Sequence, residues 1–217
     1  EHDLLTFRYT EPSTWWVSVP REQKGKAFTL EDGRAYCETL AARGPAEMKS
    51  ARAQATPQRY AQGWKTSVIR DADGAMVGQT CKRSWCEGVL WLLNSAPGIG
   101  GPGAMNDFRV KIAPELFDAR YSEPFPKGLD GEYYDSAEMY VTPWCDFARE
   151  HFAGMETPLT FDRNTHRPVV WKGMIAYEYI RAASRLAHAK GRLTLANCTP
   201  IKWWFLVPFL DVPGSEI

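Results

Sequence analysis

Asp130-Gly131-Glu132-Tyr133-Tyr134-Asp135-Ser136-Ala137-Glu138 is the stretch on which the reading of this chain turns. A turn pair, Asp130-Gly131, leads into a short aromatic run that stops at Asp135 and Ser136, ahead of a Pro-containing loop. A buried parallel strand delivers a carboxylate to its C-terminal tip in this way, and that end of the sheet is where α/β proteins keep their chemistry. Period-two alternation predicts Gly131, Tyr133 and Asp135 on one face and Glu132, Tyr134 and Ser136 on the other. With Asp135 in a barrel mouth, Glu132 must lie against the surrounding helices, where a carboxylate needs a partner. The inverted register would turn Ser136 inward and leave Asp135 idle.

Working outward, the same pattern of an apolar run closed by a polar tip recurs. Residues 4–9 form a short β-type run ending near Glu11, residues 88–93 an almost wholly apolar run ending at Asn94-Ser95, and residues 193–196 a run ending at Asn197. Residues 203–210 form a last apolar run that tolerates Pro208 and ends in Asp211, followed by Glu216. Residues 171–190 carry the clearest helical signal, with Ile175, Tyr179, Ala182, Ala183 and Leu186 in one stripe, Lys190 in the last turn and Gly191 as the cap. Polar tips on successive β/α units predict most of a (β/α)8 TIM barrel, with right-handed crossovers bringing the tips to one face. A full barrel needs about 250 residues. Residues 1–217 therefore read as the central part of one barrel domain, roughly strands 2 to 6, truncated at both ends. A doubly wound open sheet is the competing architecture.

Other signals fill in the remainder. Residues 31–54 are rich in Ala, Glu, Arg and Lys with a Gly44-Pro45 interruption, which predicts two short helices. A second, Pro-broken helical segment is expected over residues 105–121. Asp71-Ala72-Asp73-Gly74 lacks the further ligands of a calcium loop and predicts a hairpin turn. Gly98-Ile99-Gly100-Gly101-Pro102-Gly103 matches the dinucleotide fingerprint formally, but prolines bracket it and no helix opens on its glycines, so a loop on a pocket rim is the reading.

Composition excludes several classes. Lysine and arginine total 26 against 26 acidic residues, so no long-range attraction to nucleic acid or anionic lipid is expected. The longest apolar stretches are far too short to cross a bilayer. The cysteines, Cys37, Cys81, Cys86, Cys145 and Cys198, lack Cys-x-x-Cys spacing, and His2, His151, His166 and His188 lack His-x-His or His-Glu-x-x-His spacing, so neither a metal nor a cofactor is called for. No Gly-x-Ser-x-Gly is present for serine-hydrolase chemistry.

Four segments in order, residues 130–136, the Pro-Leu-Thr-Phe-Asp of 158–162, the Gly-Arg-Leu-Thr-Leu-Ala-Asn-Cys-Thr-Pro of 191–200 and the Phe-Leu-Asp-Val-Pro-Gly-Ser-Glu of 209–216, together resemble the barrel core of large microbial glycoside hydrolases. The layout is similar to that of the retaining α-galactosidase and endo-α-N-acetylgalactosaminidase clan. That resemblance implies an Asp nucleophile at the end of the fourth strand and a carboxylate acid/base near the end of the sixth. Counting residues 4–9 as the second strand, it carries the nucleophile role to Asp135 and the proton donor to Glu216, in preference to Asp211. It also implies an oligo- or polysaccharide substrate and, by analogy, a periplasmic or extracellular setting.

Glycosidic cleavage by two carboxylates fits such a site independently. Trp15, Trp16, Trp91, Trp203 and Trp204 are candidates for stacking on sugar rings, and Glu11, Asn94, Tyr133 and Asn197 for binding hydroxyls. Trp15 and Trp16 read more readily as a core wedge than as a wall beside a pocket. The carboxylate pair Asp135 and Glu138 is an alternative to the late acids, and a non-catalytic carbohydrate-binding or degenerate barrel is the alternative to an enzyme.

Overall fold

The computed structural model describes residues 4–25, 27–42, 57–84, 86–99, 129–139, 141–197 and 199–215. Its organising element is a four-stranded sheet in which β1 (Phe7–Thr10), β5 (Gly131–Tyr134), β9 (Leu193–Ala196) and β10 (Val212–Pro213) lie side by side in that order. All three pairings are parallel. The strands follow the order of the sequence without the reversal that defines a doubly wound sheet. The described sheet is open, not a closed barrel.

Register sorts the side chains. Arg8, Glu132 and Thr194 share one rung, and Thr10, Tyr134 and Ala196 the next rung on the same face. That face is buried beneath α4 (Lys172–Ala189), where Tyr134 meets Tyr179 edge to face at 5.9 Å. The opposite face carries Tyr9, Tyr133 and Leu195, and Tyr9 is 61% exposed. Glu132 does lie on the helix side, fully buried, and its partners come from β1: Thr10 Oγ1 donates at 3.1 Å and the Arg8 guanidinium stands 3.7 Å away. The helix α4 ends as expected, with Gly191 left-handed at φ +64° and Arg192 N–H bonded to the Ala187 carbonyl in a Schellman closure.

Two expectations are corrected here. Residues 88–93 do form a strand covered on both faces, but β4 (Glu87–Leu92) is the centre of an antiparallel sheet in the order β2-β4-β3, with β2 (Thr14–Ser18) and β3 (Gly78–Lys82). Leu90 and Leu92 face the main core, while Val89, Trp91 and Leu93 face a second core under α1 (Leu30–Ala42) and α2 (Pro57–Ser67). An all-apolar run reports burial on two faces and not strand direction. The tip at Asn94 therefore does not join the parallel sheet. Trp15, half-buried, packs against that second core as a wedge, 6.5 Å from Trp64.

The second correction concerns residues 203–210. They form a 3₁₀ helix over Trp204–Phe209, with Pro208 inside it, and the strand that follows is only Val212–Pro213. Asp211 thus precedes β10 instead of closing a strand. The Asp71–Gly74 turn is as expected: Gly74 is left-handed at φ +85°, and Asp71 Oδ1 accepts the amides of Asp73 and Ala75. The helix α2 was not foreseen. The glycine-rich loop beyond Ile99, the helix expected over 105–121 and the second half of the 31–54 expectation lie outside the described residues.

The long excursion between β5 and α4 is tied down by a buried ion pair. Its elements are β6 (Cys145–Asp146), α3 (Arg149–Phe152), β7 (Thr160–Phe161) and β8 (Pro168–Trp171), the strands forming a small antiparallel sheet in the order β6-β8-β7. Asp146 accepts hydrogen bonds from Asn94 Nδ2 at 3.1 Å and from the Arg70 and Ala148 amides. His151 Nδ1 lies 2.6 Å from Asp146 Oδ2 and Nε2 lies 2.8 Å from the Thr66 carbonyl. Both ring nitrogens face acceptors, which calls for the doubly protonated imidazolium. Burial pushes the His151 pKa down, but the Asp146 carboxylate and the Thr66 carbonyl outweigh it and hold the value above the ordinary 6.5.

A raised folded-state pKa means this stabilisation is complete below the unfolded value near 6.5 and is lost as pH climbs through the higher folded value. Removing one member of a buried pair strands the other, so His151→Ala should cost about 3 kcal/mol. Urea midpoints measured from pH 6 upward should fall in the native chain, and the part of that slope due to this pair should vanish in the variant. A variant with the unaltered slope would refute the latch.

Candidate active site

Three strand tips converge where β1, β5 and β9 end. The Asp135 amide bonds the Thr10 carbonyl at 2.9 Å and the Asn197 amide reaches the Tyr134 carbonyl at 3.4 Å, so backbone pairing carries one residue past each strand. Ser136 then takes a left-handed conformation at φ +50°, as does Met139 at φ +54°. A non-glycine residue there costs on the order of 1 kcal/mol, and such strain collects at functional turns. Its effect is local and clear. The chain reverses at the crest of the sheet, Ala137 and Met139 fall back into the core, and Asp135 is left at the top, half-buried.

Asp135 stands on the face away from α4, as alternation predicts, and its carboxylate is held by side chains from all three tips. Asn197 Nδ2 donates to Oδ1 at 2.6 Å and the Tyr133 hydroxyl at 3.3 Å. The Tyr9 hydroxyl makes a short hydrogen bond to Oδ2, which Ser136 Oγ also approaches at 3.4 Å. Every donor is neutral. The carboxylate is fixed in orientation by four hydrogen bonds, with no cation against it among the described residues. The Tyr9 ring packs edge to face on Tyr133 at 5.6 Å. Burial, the Asp135 hydrogen bond and charge, and the charge of Glu11 push the Tyr9 phenol well above its ordinary pKa of 10.0.

The remaining predicted residues fall in different places. Glu11 follows β1 but is engaged locally, accepting from Ser13 at 3.1 Å, from Trp16 Nε1 at 2.9 Å and from Thr14 in a short contact. Trp16 positions Glu11 while packing on the main core. Asn94 is fully buried in the Asp146–His151 latch and is structural. Trp203 is 7% exposed and holds an aromatic cluster together, 5.1 Å from Trp171.

Asp211 is at the wrong end of the sheet. Its amide bonds the Thr194 carbonyl at 3.0 Å and its carboxylate accepts the Thr194 amide at 2.7 Å and faces His188 Nε2 at 2.8 Å. Thr194 is level with Glu132, so Asp211 sits roughly 10 Å below Asp135 along the strands and about as far sideways, β10 being two strands from β5. Burial opposes ionisation of Asp211, but His188 and Thr194 hold its carboxyl below the usual range. It cannot serve as proton partner to Asp135. Glu216 lies outside the described residues.

Two residues that the sequence did not single out, Lys172 and Tyr9, stand at the same end. Lys172 opens α4 and is 7% exposed, where both burial and the helix dipole oppose its charge. Its ammonium is satisfied by the Met139 carbonyl at 2.8 Å, the Thr142 carbonyl at 3.0 Å and the face of Trp144 at 5.0 Å. Burial, and the neighbouring charge of Lys202, lower its pKa against the opposing pull of Glu138. Glu138 is 6% exposed, and its Oε2 has no hydrogen-bond partner among the described residues. A cation at a helix start, against the dipole, is the signal that could have flagged Lys172. Tyr9 could have been found from pairing β1 with β5, which sets it beside Tyr133.

Among the described residues no cluster of His, Cys, Asp and Glu could hold a metal ion, and no helix is long and apolar enough to cross a membrane. Comparison with protein-family models, curated proteins and solved structures finds no match.

The Tyr9–Asp135 contact makes a direct prediction. In Asp135→Asn the phenol should ionise closer to 10.0, its ordinary value, since the charge that opposes ionisation is gone. Alkaline spectrophotometric titration, with Tyr9→Phe as the blank, reads this. An unmoved phenol would show that the two groups do not interact in solution.

Proposed function

We propose that this chain contains the catalytic core of a glycoside hydrolase, built on part of a (β/α)8 barrel, with Asp135 as the nucleophile of a retaining reaction on an oligo- or polysaccharide. The observation that carries the reading is the convergence on Asp135 of Tyr9, Tyr133 and Asn197 from three consecutive parallel strand ends, on the face away from α4. A carboxylate that attacks an anomeric carbon must be fixed and accessible, and this one is held by neutral donors at an end of the sheet suited to substrate entry. The unreversed strand order supports the barrel over the doubly wound alternative.

In this scheme Asp135 attacks the anomeric carbon as the leaving oxygen takes a proton, and water then hydrolyses the glycosyl ester with the second carboxylate as base. Glu216 is the proposed proton donor by its sequence position, and Glu138 the alternative acid at the same edge. Asp211 is withdrawn from the role. Tyr9 engages Oδ2 of Asp135 and Asn197 engages Oδ1, and both hydrogen bonds weaken as charge leaves the carboxylate. A non-catalytic sugar-binding domain is the second reading, favoured by the local engagement of Glu11 with Ser13, Thr14 and Trp16.

Screening α- and β-linked aryl glycosides should reveal turnover, and Asp135→Asn should reduce it by at least about 10²- to 10⁴-fold. Asp211→Asn should leave turnover unchanged and lower only the melting temperature. Near-native turnover in Asp135→Asn removes the nucleophile assignment, while sugar binding without turnover in the native chain selects the second reading.

A further inference from the structure

A second feature of the same sheet end takes no part in the arrangement around Asp135. Trp144 is 65% exposed, yet it is not loose. Lys172 Nζ lies 5.0 Å from its ring centre, and Trp203 meets it edge to face at 6.3 Å and 89°. Trp203 is in turn wedged against Trp171 at 5.1 Å and Phe205 at 5.6 Å. An exposed indole this firmly buttressed is a flat apolar surface whose ordering cost is already met by the fold.

Its charge setting is one-sided. Lys202 ends α5 (Thr199–Lys202), is exposed, and makes no ion pair with any described residue. It directly precedes Trp203, the residue that meets Trp144 edge to face at 6.3 Å, and its charge opposes that of Lys172. Glu138, the acid that faces Lys172, is buried and leaves the exposed cation uncompensated. A ligand suited to this place presents a flat apolar face to Trp144 and an anionic group to Lys202. Neutral sugars meet the first demand and not the second. Nucleotides meet both, and only the reading of Asp135 as a glycoside hydrolase nucleophile favours a sugar over them.

We propose that Trp144 and Lys202 form a subsite for an acidic pyranose, a hexuronate unit whose ring stacks on the indole and whose carboxylate pairs with the ammonium. The choice of a sugar rests on the glycoside hydrolase reading, and the acidity on the residues themselves. Trp144 stands on the loop that follows β5, and Lys172 holds that loop by the carbonyls of Met139 and Thr142.

Affinity electrophoresis of the full chain through gels containing sodium polygalacturonate, a neutral galactan or a single-stranded oligonucleotide tests this, with Asp135→Asn run beside the native chain. The polyuronate should retard both chains more than the neutral polymer does, and salt should weaken that retardation. Trp144→Ala should lower the affinity about tenfold, as for loss of one stacked ring, and Lys202→Met should remove the preference for the acidic polymer. Equal retardation by galactan, stronger retention of the oligonucleotide, or indifference to both substitutions overturns the proposal. Retention without turnover leaves the subsite standing while the hydrolase reading fails, and turnover without retention does the reverse.

Discussion

The register of β5 between β1 and β9 is the constraint on which the rest depends. A strand has two faces, and a slip of one residue exchanges them completely. Here the exchange would put Asp135 among the side chains of α4 and bring Glu132 out beside Tyr9. The buried carboxylate of Glu132 opposes that slip, because its partners stand on the same face of the neighbouring strand, Arg8 at its own rung and Thr10 at the next. A buried ion that is paired is of little net benefit to stability, but the same ion without its partners is very costly. Glu132 therefore works against the wrong alternatives, and the position of Asp135 follows from it. Gly131 contributes from the same strand: any side chain there would run into the Leu193 carbonyl and the Phe7 ring.

The loop that follows Asp135 is organised by the same logic of buried charge. Lys172 enters an unfavourable place, the start of a helix in a poorly solvated setting, and the carbonyls it needs are those of Met139 and Thr142. The β5 loop is thereby joined to the helix that covers the sheet. His151 and Asp146 do the corresponding work farther out, joining the loop to the ends of α2 and β4. Left-handed Ser136 and Met139 are tolerated because these anchors fix the loop on both sides. The strained crest, the fixed carboxylate and the buttressed Trp144 are consequences of one set of polar ties.

Parts of this were legible from residue types alone. Asp135 and Asn197 are expected at strand tips and Tyr133 on the same face as Asp135, and the three meet, because short apolar runs closed by polar residues state both the strand and its end. The Glu132 difficulty was also visible, since alternation required a carboxylate on the helix face. Asn94 and Asp211 failed for different reasons. Asn94 closes a run that is buried on both faces, a property shared by parallel strands and by the centre of an antiparallel sheet. Asp211 closes a run whose length and apolarity suit a strand, but Trp203 and Leu206 pack inward at a spacing of three and the segment coils into a 3₁₀ helix.

Local pattern by itself determined that the chain extends over β5 and β9, that it coils at α4, and that Asp135 and Asn197 end their runs, because these depend on neighbours a few positions apart. Only the tertiary structure decided which ends meet. Tyr9 reaches Asp135 across 126 positions and Lys172 reaches Met139 across 33, and nothing local to either residue encodes the other. Strand direction, strand order and the burial of charge are settled by long-range pairing and desolvation, and these determine which carboxylate becomes a site and which, like Glu132, holds the sheet in place.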